Sequence, residues 1–561
     1  MFVVNNRSMI YWLFMVLYVF NCFFLLFIIS MVLPNACQPK KVEVHHVPVI
    51  EVRNLPIKEE LDSVVVDSFL RNSKLAVSLQ HEFRQFYQNR AYKYAWLNQQ
   101  GVHPSVHVFY QQLQRYVSNF DDTTFNVDEV NGQMYFVSNY YCSQQVTNEI
   151  ELFITSVYFN FIERAYRGRV ENPRLLHWYI PRKKLDYQNL IGQAIVAKTE
   201  TDIQEPCGKL YIKLREKLIY YRQIQQNGGL PLVKIRNEKL VQGNQDTGLI
   251  TLKQYLFLSN DLPIKDASEL FTPELSTALK KFQRRMGIVA NGRIDKSTLL
   301  LLQIPVDSLI NQLLVNLERL KWMPVSLGVN YVRINIPAFR LQLVDRGKLI
   351  WKSKIVVGKT ITPTNIFKNN ISQITFNPYW VIPTSIIRKE IVPEARLDPN
   401  FMVENNMEVL SGSRVVDLNS IDWFSYKGDG PFLIRQKPGL NNSLGKMIFL
   451  FPNPFHIYLH DTPVKSLFEE NERAFSHGCI RLQNPIKLAR YLLKDNPRWS
   501  AEKIDTILAS NKNVKVVLLK KMPVYIVYFT AWVDHEGQLH FRKDLYGLDA
   551  TLLLAMKQHS K

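Results

Sequence analysis

The sequence predicts a multidomain α+β protein with an N-terminal membrane anchor, a helical scaffold, a small helical domain and a β-rich domain carrying an inserted subdomain. Three observations predict it. An uncharged apolar run from Met9 to Leu33 opens the chain. Helical periodicity dominates from about residue 68 to 303. Period-two alternation takes over from about residue 329. Hydrophobic residues make up 47% of the 561 and charged residues 21%, usage that excludes a mostly disordered chain.

The first element, residues 1–37, places the chain. At about 1.5 Å per residue, the run from Met9 to Leu33 is long enough to cross a ~30 Å hydrocarbon layer. A cleavable signal usually has only about 7–15 apolar residues, so the run reads as an uncleaved anchor. Cleavage stays open, as does lipidation of Cys37, which follows Pro34-Asn35-Ala36. No later segment is long and apolar enough to span, so the rest of the chain is expected on one side of a membrane. Residues 38–67, with Pro39, Pro48 and Pro56, read as an extended linker.

Lys plus Arg total 69 and Asp plus Glu 49, a net charge of +20. Such a surface suits nucleic acid, acidic lipid or an acidic polymer such as a cell wall. No zinc-finger spacing or RNA-recognition signature is present, so no nucleic-acid partner is expected. The five cysteines, Cys22, Cys37, Cys142, Cys207 and Cys479, are too few for a disulfide framework. Cys142 and Cys207 read as a pair in an oxidising compartment or as two separate thiols.

Residues 68–240 form the helical scaffold, with Phe83, Phe86, Tyr87 and Tyr94 on one helix face. A basic run over 208–240 is a solvated helix face or a contact for an anionic glycan or membrane. Residues 246–303 form a small module. Thr272 caps a helix with Pro273 at its first position, and Leu275, Ala278, Leu279 and Phe282 make its apolar stripe. Gly287 closes that helix, Asn291-Gly292 turns the chain, and a second helix starts near Ser297. A linker helix over 304–328 follows.

The β-rich domain spans 329–550. Strands are expected at 332–336, 339–344 and 348–357, the last two joined by the Asp345-Arg346-Gly347 turn. More are expected near 372–376, 447–450, 456–460, 514–519, 524–532 and 538–541. Residues 384–436 look inserted, with a helix near 384–391 and a Gly428-Asp429-Gly430 turn.

The chemistry concentrates between Phe455 and Leu493. Cys479 lies on a short loop, read as joining a strand to the helix that starts at Asn484-Pro485. Gly478 beside it permits close approach by a substrate. His460 ends a strand upstream. Nucleophilic cysteine chemistry needs a thiolate, an imidazole base and oxyanion donors. Cys479 and His460 supply the first two, and the backbone N–H groups of Gly478 and Cys479 the third. Arg481 and a protonated imidazole are expected to lower the thiol pKa. Two other readings remain from spacing alone: a structural cluster, or zinc held by His456, His460, His477 and Cys479. The four show neither HExxH nor CxxC spacing, so no metal is assigned.

These residues carry a family resemblance. Ser476-His477-Gly478-Cys479-Ile480-Arg481 resembles the signature of the L,D-transpeptidase catalytic domain, the YkuD fold. Phe376-Asn377-Pro378-Tyr379-Trp380, His460-Asp461-Thr462-Pro463 and Ala531-Trp532-Val533-Asp534 resemble its YcbB-like subgroup. Residues 246–303 resemble a peptidoglycan-binding-like domain, and 384–436 that subgroup's substrate cap. The resemblance implies Cys479 as nucleophile, His460 as base oriented by the Asp461 carbonyl, and Ser476, His477 and Gly478 shaping the loop and oxyanion site. It offers Arg481, Ser476, Tyr379 and Trp423 as substrate contacts. For Arg481 a structural ion pair is the other reading, and for Tyr379, Trp380 and Trp423 a place in the core. The implied reaction is acyl transfer on peptidoglycan tetrapeptide stems, giving 3–3 cross-links at the periplasmic side of the envelope without a cofactor. A non-catalytic wall-binding scaffold and a cysteine peptidase or amidase are the competing readings.

Overall fold

The computed structural model describes residues 58–73, 75–140, 142–236 and 239–558. The expected anchor, Cys22, Cys37 and most of the linker lie outside the described residues. Among the described residues no single helix is long and apolar enough to cross a membrane.

The first part of the described chain is helical, built around Val77–Asn89, Pro104–Phe120 and Gln144–Ile162. Phe83, Phe86 and Tyr87 are buried on one face of Val77–Asn89. Tyr94 does not extend that face. The helix stops at Asn89, and Ala91 and Tyr92 take positive φ values of 50° and 60°. Buried Glu151 gathers this turn into the core, accepting from the backbone N–H of Ala95 at 2.7 Å and Trp96 at 3.0 Å and from the Tyr87 hydroxyl at 2.9 Å. Cys142 and Cys207 are both free thiols.

The small module packs three helices, Gly248–Leu258, Pro273–Met286 and Lys296–Leu302. Its Phe282-Gln283 pair has a physical basis. Phe282 and Gln283 are both fully buried. The Gln283 carboxamide accepts from Gly292 N at 2.8 Å and donates to Thr298 Oγ1 at 2.9 Å, so one side chain clamps the Asn291-Gly292 turn to the next helix. Gly287 ends Pro273–Met286 at φ 84°, and a Cβ there would lie 2.6 Å from Arg542.

The expected linker helix is Val306–Trp322, and it is a buried spine. Asn316 accepts from Thr530 N at 3.0 Å on the β-rich side. Glu318, on the opposite side, accepts from Arg169 N at 2.5 Å and Val170 N at 3.2 Å and pairs with Lys321 at 3.2 Å.

Nine strands make the central sheet: β1 Tyr331–Asn335, β2 Arg340–Asp345, β3 Lys348–Gly358, β4 Lys368–Phe376, β5 Met447–Leu450, β6 Leu459–His460, β7 Ala474–Ser476, β8 Ile480–Leu482 and β9 Val514–Val527. Their order is β7-β3-β8-β6-β5-β4-β9-β1-β2, and β2 also pairs with β3, so eight of them close a ring. Val332, Ile334, Leu341, Leu343, Ile374 and Ile526 point inward and are buried, the alternation expected of closed sheets. Two strand expectations change. The segments at 514–519 and 524–532 are chiefly one strand, β9, with an irregularity between Val517 and Met522, and Ala531–Val533 starts a separate hairpin with Leu539–Phe541. Strand 456–460 shortens to β6.

The insertion is a lobe with its own sheet and its own hydrophobic cluster around Ile387, Met402, Val409 and Ile434. Its strands, Trp380–Val381, Met407–Ser411, Arg414–Val416 and Phe432–Gln436, were not expected from the sequence. The expected helix is present, beginning at Thr384 and containing a π-helical turn over Ile387–Ile391.

Candidate active site

Cys479 lies in the connection between β7 and β8, so the loop joins two strands, and the helix Pro485–Leu493 follows β8. β6 and β8 pair in parallel, with His460 opposite Arg481 and Leu459 opposite Ile480. Side chains two apart share a face of a strand. Tyr458 and His460 therefore share one face with Cys479 and Arg481, and the imidazole stands diagonal to the thiol. The Tyr458 and His460 rings are 5.7 Å apart, and the side chain and backbone of Tyr458 adjoin the sulfur and favour its thiolate.

His460 is 4% exposed, and its Nδ1 hydrogen-bonds the Asp461 carbonyl at 2.5 Å. That bond places the proton on Nδ1 and leaves Nε2 as the basic nitrogen. Burial and then the charge of Arg481 push the imidazole down to about 3, against the pull of the Asp461 carbonyl. The Asp461 carboxylate faces elsewhere. It accepts from Lys446 N at 2.9 Å and pairs with Lys465, and it packs so closely on Gly445 that a Cβ there would lie 2.5 Å away.

The thiol pKa departs from expectation. Burial raises it above the usual cysteine value, and the polar groups of Tyr458 and then the Arg481 charge oppose this without reversing it. The imidazole beside it is neutral. Thiol and neutral imidazole, rather than a preformed ion pair, are the ground state. The thiol donates to the His456 carbonyl at 3.6 Å, and His456 holds the left-handed region at φ 54°. Residues kept in such conformations cost about 1–3 kcal/mol and cluster at functional sites. Catalytic hydrogen bonds in unliganded enzymes often form only once substrate binds. Rotation of the thiol from His456 toward Nε2 is the motion this geometry requires.

The loop around the nucleophile is pinned through its backbone. The Ser476 hydroxyl donates to the Cys479 carbonyl at 2.5 Å and accepts from Gly478 N at 3.1 Å. Thr364 Oγ1 donates to the Gly478 carbonyl at 2.8 Å. The Gly478 N–H is thus already taken by Ser476, which leaves the Cys479 N–H as the free donor of this loop among the described residues. Ser476 is 2% exposed and bonded to the loop, with no open face toward a substrate. Gly478 sits at φ 116°, a conformation that excludes a side chain without strain.

The remaining expected residues divide. Arg481 has no carboxylate partner among the described residues, and its Nε is buried without a hydrogen-bond acceptor. The ion-pair reading of Arg481 is therefore not what the structure shows. His477 turns away from the sulfur and pairs through Nε2 with Glu390 of the inserted lobe at 2.9 Å. Tyr379 is 39% exposed and lies under the Arg435 guanidinium at 4.2 Å. Trp423 packs into the lobe's own cluster, its ring 5.9 Å from that of Tyr426. No hydrogen bond or ring contact joins Tyr379 or Trp423 to the cysteine loop. Among the described residues no group of three His, Cys, Asp or Glu side chains is placed to hold a metal ion. Tyr458 is the residue the sequence reading passed over. Its signal was present, since it lies two positions before His460 on the same strand face.

The closed sheet thus brings a cysteine, a buried imidazole and an arginine without a carboxylate partner onto adjacent strands. Residues 329–526 match the family model of the L,D-transpeptidase catalytic domain, YkuD, and residues 81–218 match a scaffold domain. Residues 329–526 are thus similar to the YkuD L,D-transpeptidase catalytic domain. A Haemophilus influenzae protein provisionally named as an L,D-transpeptidase is 34% identical over 250 residues, covering 44% of this chain and 50% of that protein. The chain thus spans about half the length of that curated relative. Among solved structures, an L,D-transpeptidase from Stackebrandtia nassauensis is 15% identical, covering 53% of this chain and 96% of that one, with a TM-score of 0.21. One from Mycobacterium smegmatis is 13% identical, covering 36% of this chain and 58% of that one, with a TM-score of 0.18.

Proposed function

We propose that the protein is an L,D-transpeptidase that cross-links peptidoglycan through a Cys479 acyl-enzyme. The observation that carries this reading is the shared face of β6 and β8, where Tyr458, His460, Cys479 and Arg481 converge. The Cys479 sulfur attacks the carbonyl carbon of the third residue of a tetrapeptide stem. His460 Nε2 takes the thiol proton as the carbon–sulfur bond forms, and the Cys479 N–H receives the developing oxyanion. The carbon–nitrogen bond to the terminal D-alanine then breaks, and His460 returns its proton to the leaving amine. The side-chain amine of a second stem attacks the thioester, giving a 3–3 cross-link and restoring the thiol. No cofactor enters these steps.

The unpaired Arg481 beside the sulfur suits a stem carboxylate. The Arg481→Gln variant is expected to lower acylation by a stem at least tenfold, as loss of a charge-assisted bond implies. Stopped-flow acylation checks this, and an unchanged rate makes Arg481 a structural residue.

The neutral ground state fixes the pH dependence. With the imidazole near 3 and the thiol raised, neither group titrates between pH 5 and 8. The acylation rate of the free enzyme is expected to be flat over that range, since kcat/KM reports free-enzyme pKa values. A sigmoidal rise centred near 6.5 contradicts the burial of His460.

The order of scaffold match, three-helix module and inserted lobe suits the YcbB-like subgroup. In this reading the lobe is the substrate cap, tied to the nucleophile loop by Glu390 and His477. The apolar run from Met9 to Leu33 holds the chain at the membrane, with the catalytic domain on the periplasmic side where its substrate lies. Mass spectrometry of muropeptides after incubation of the protein with purified tetrapeptide-rich sacculi tests the reaction. 3–3 cross-linked dimers support it. Stems severed from the glycan point to an amidase.

A further inference from the structure

A cavity of about 1210 Å³ lies where the three-helix module, the β1–β2 turn and the Ala531–Phe541 hairpin meet. Its lining includes neither Cys479 nor His460. Four arginines border it, Arg284 on the module and Arg340, Arg473 and Arg542 on the β-rich side. None has a carboxylate within ion-pair distance among the described residues. Arg473 donates to the carbonyls of Ile355 at 3.1 Å, Glu470 at 2.5 Å and Phe339 at 3.1 Å. Arg542 donates to those of Arg285 at 2.8 Å and Phe541 at 2.5 Å. Neutral carbonyls satisfy these donors without cancelling their charge. Arg340 is exposed, and its side chain has no hydrogen bond or ion pair among the described residues.

The acids of the cavity are already committed. Asp549 pairs with Arg319, Asp534 with His540, and Glu472 with Lys543. Glu536 lies 3.5 Å from His535. Asp544 accepts the Tyr528 hydroxyl at 2.7 Å and the N–H of Leu548 at 2.9 Å. Glu469, whose charge reaches Arg473, is held by Lys354. Arg340 stands directly opposite Lys354 in the β2–β3 ladder, and like charges in that position are destabilising. Burial, then the charges of Arg340 and Arg473, lower Arg542 to about 10. Asp534 and Asp544 keep their charge, since the groups they bond are neutral, but neither lies within ion-pair distance of Arg340, Arg473 or Arg542, which are left without a carboxylate partner among the described residues.

We propose that this cleft is a binding site for the carboxylates of a peptidoglycan peptide stem, distinct from the stem held at Cys479. The proposal rests on the transpeptidase reading above. Its volume exceeds the roughly 300–1,000 Å³ of a small-molecule pocket, so it suits a chain rather than a single ion. Arg473 begins the run that leads through β7 to Cys479, and at about 3.3 Å per residue that run spans at most ~20 Å. A strand with one stem at the nucleophile can therefore lay another in the cleft, beside the module that resembles a peptidoglycan-binding domain.

Hydrogen exchange of the full chain with a purified disaccharide-tetrapeptide tests this. The stem should protect segments 337–343 and 538–545, and Arg340→Gln should weaken that protection roughly tenfold in apparent Kd. Arg340→Lys should restore most of it. Lys352→Gln, which also alters an exposed side chain without an ion pair, should weaken it in the same sense. A stem whose carboxylates are amidated should give none. Equal protection by the amidated stem, or none by the free stem, overturns the proposal. Protection by inorganic pyrophosphate alone also overturns it, making the cleft a phosphate site. Acyl adduct at Cys479, read by mass on the same samples, separates the two readings. Adduct without cleft protection removes only the cleft, and cleft protection without adduct removes only the transpeptidase.

Discussion

Replacing His460 with Ala is expected to lower the rate of Cys479 acylation by about 10²–10⁴-fold, the usual cost of losing a general base. His460 is fixed by β6, buried, and held by the Asp461 carbonyl in the tautomer that offers Nε2. With the thiol pKa raised by burial, little thiolate exists without a base, so the penalty belongs to the high end of that range. His477 offers a contrast. It is two residues from Cys479 but points to Glu390, so His477→Ala should slow acylation far less and loosen the lobe instead. Single-turnover acylation of both variants, with folding checked by circular dichroism, reads the difference. A folded His460→Ala variant that acylates like the wild type, beside a slow His477→Ala, reverses the assignment. Tyr458→Phe removes the hydroxyl that favours the thiolate and should give an intermediate loss, near tenfold, with the profile still flat between pH 5 and 8.

The second large effect concerns stability. Glu318→Ala is expected to destabilise the folded chain by about 3–5 kcal/mol, the cost of leaving a buried partner charge uncompensated. Glu318 is 1% exposed, and its carboxylate holds Lys321, itself buried, together with the Arg169 and Val170 N–H groups. A Cβ at Gly168 would also meet its Oε1 at 2.4 Å, so no other packing of that turn is free to compensate. Urea unfolding followed by tryptophan fluorescence measures the loss. A change under about 1 kcal/mol would mean that the spine helix does not depend on this network.

The parts of the fold that were legible in the sequence are those written in short-range pattern. β1 alternates cleanly, and β2 and β3 are joined by a turn in which Arg346 and Gly347 take φ 50° and 76°, so that hairpin followed from residue order alone. The Thr272-Pro273 start and Gly287 stop of the module helix were equally local. The lobe's sheet was hidden because its strands are short and pair across the sequence, Met407–Ser411 with Phe432–Gln436. β9 looked like two strands because Lys520 and Lys521 interrupt its alternation where the pairing slips.

The same division applies to the site. A cysteine between glycine and a strand, with a histidine upstream, marks itself. The consumption of the Gly478 N–H by Ser476 and the turning of His477 to Glu390 depend on contacts that spacing does not encode. The convergence of Arg340, Arg473 and Arg542 is more distant still, since only closure of the sheet and docking of the module bring them to one cavity.

The central claim is a Cys479 acyl-enzyme formed from a tetrapeptide stem. Intact-protein mass spectrometry after mixing with a purified disaccharide-tetrapeptide measures it directly. The account predicts a mass gain equal to the stem less its terminal D-alanine, release of one D-alanine per adduct, and neither in Cys479→Ala. A protein that gains no mass, or a gain that persists in Cys479→Ala, contradicts it.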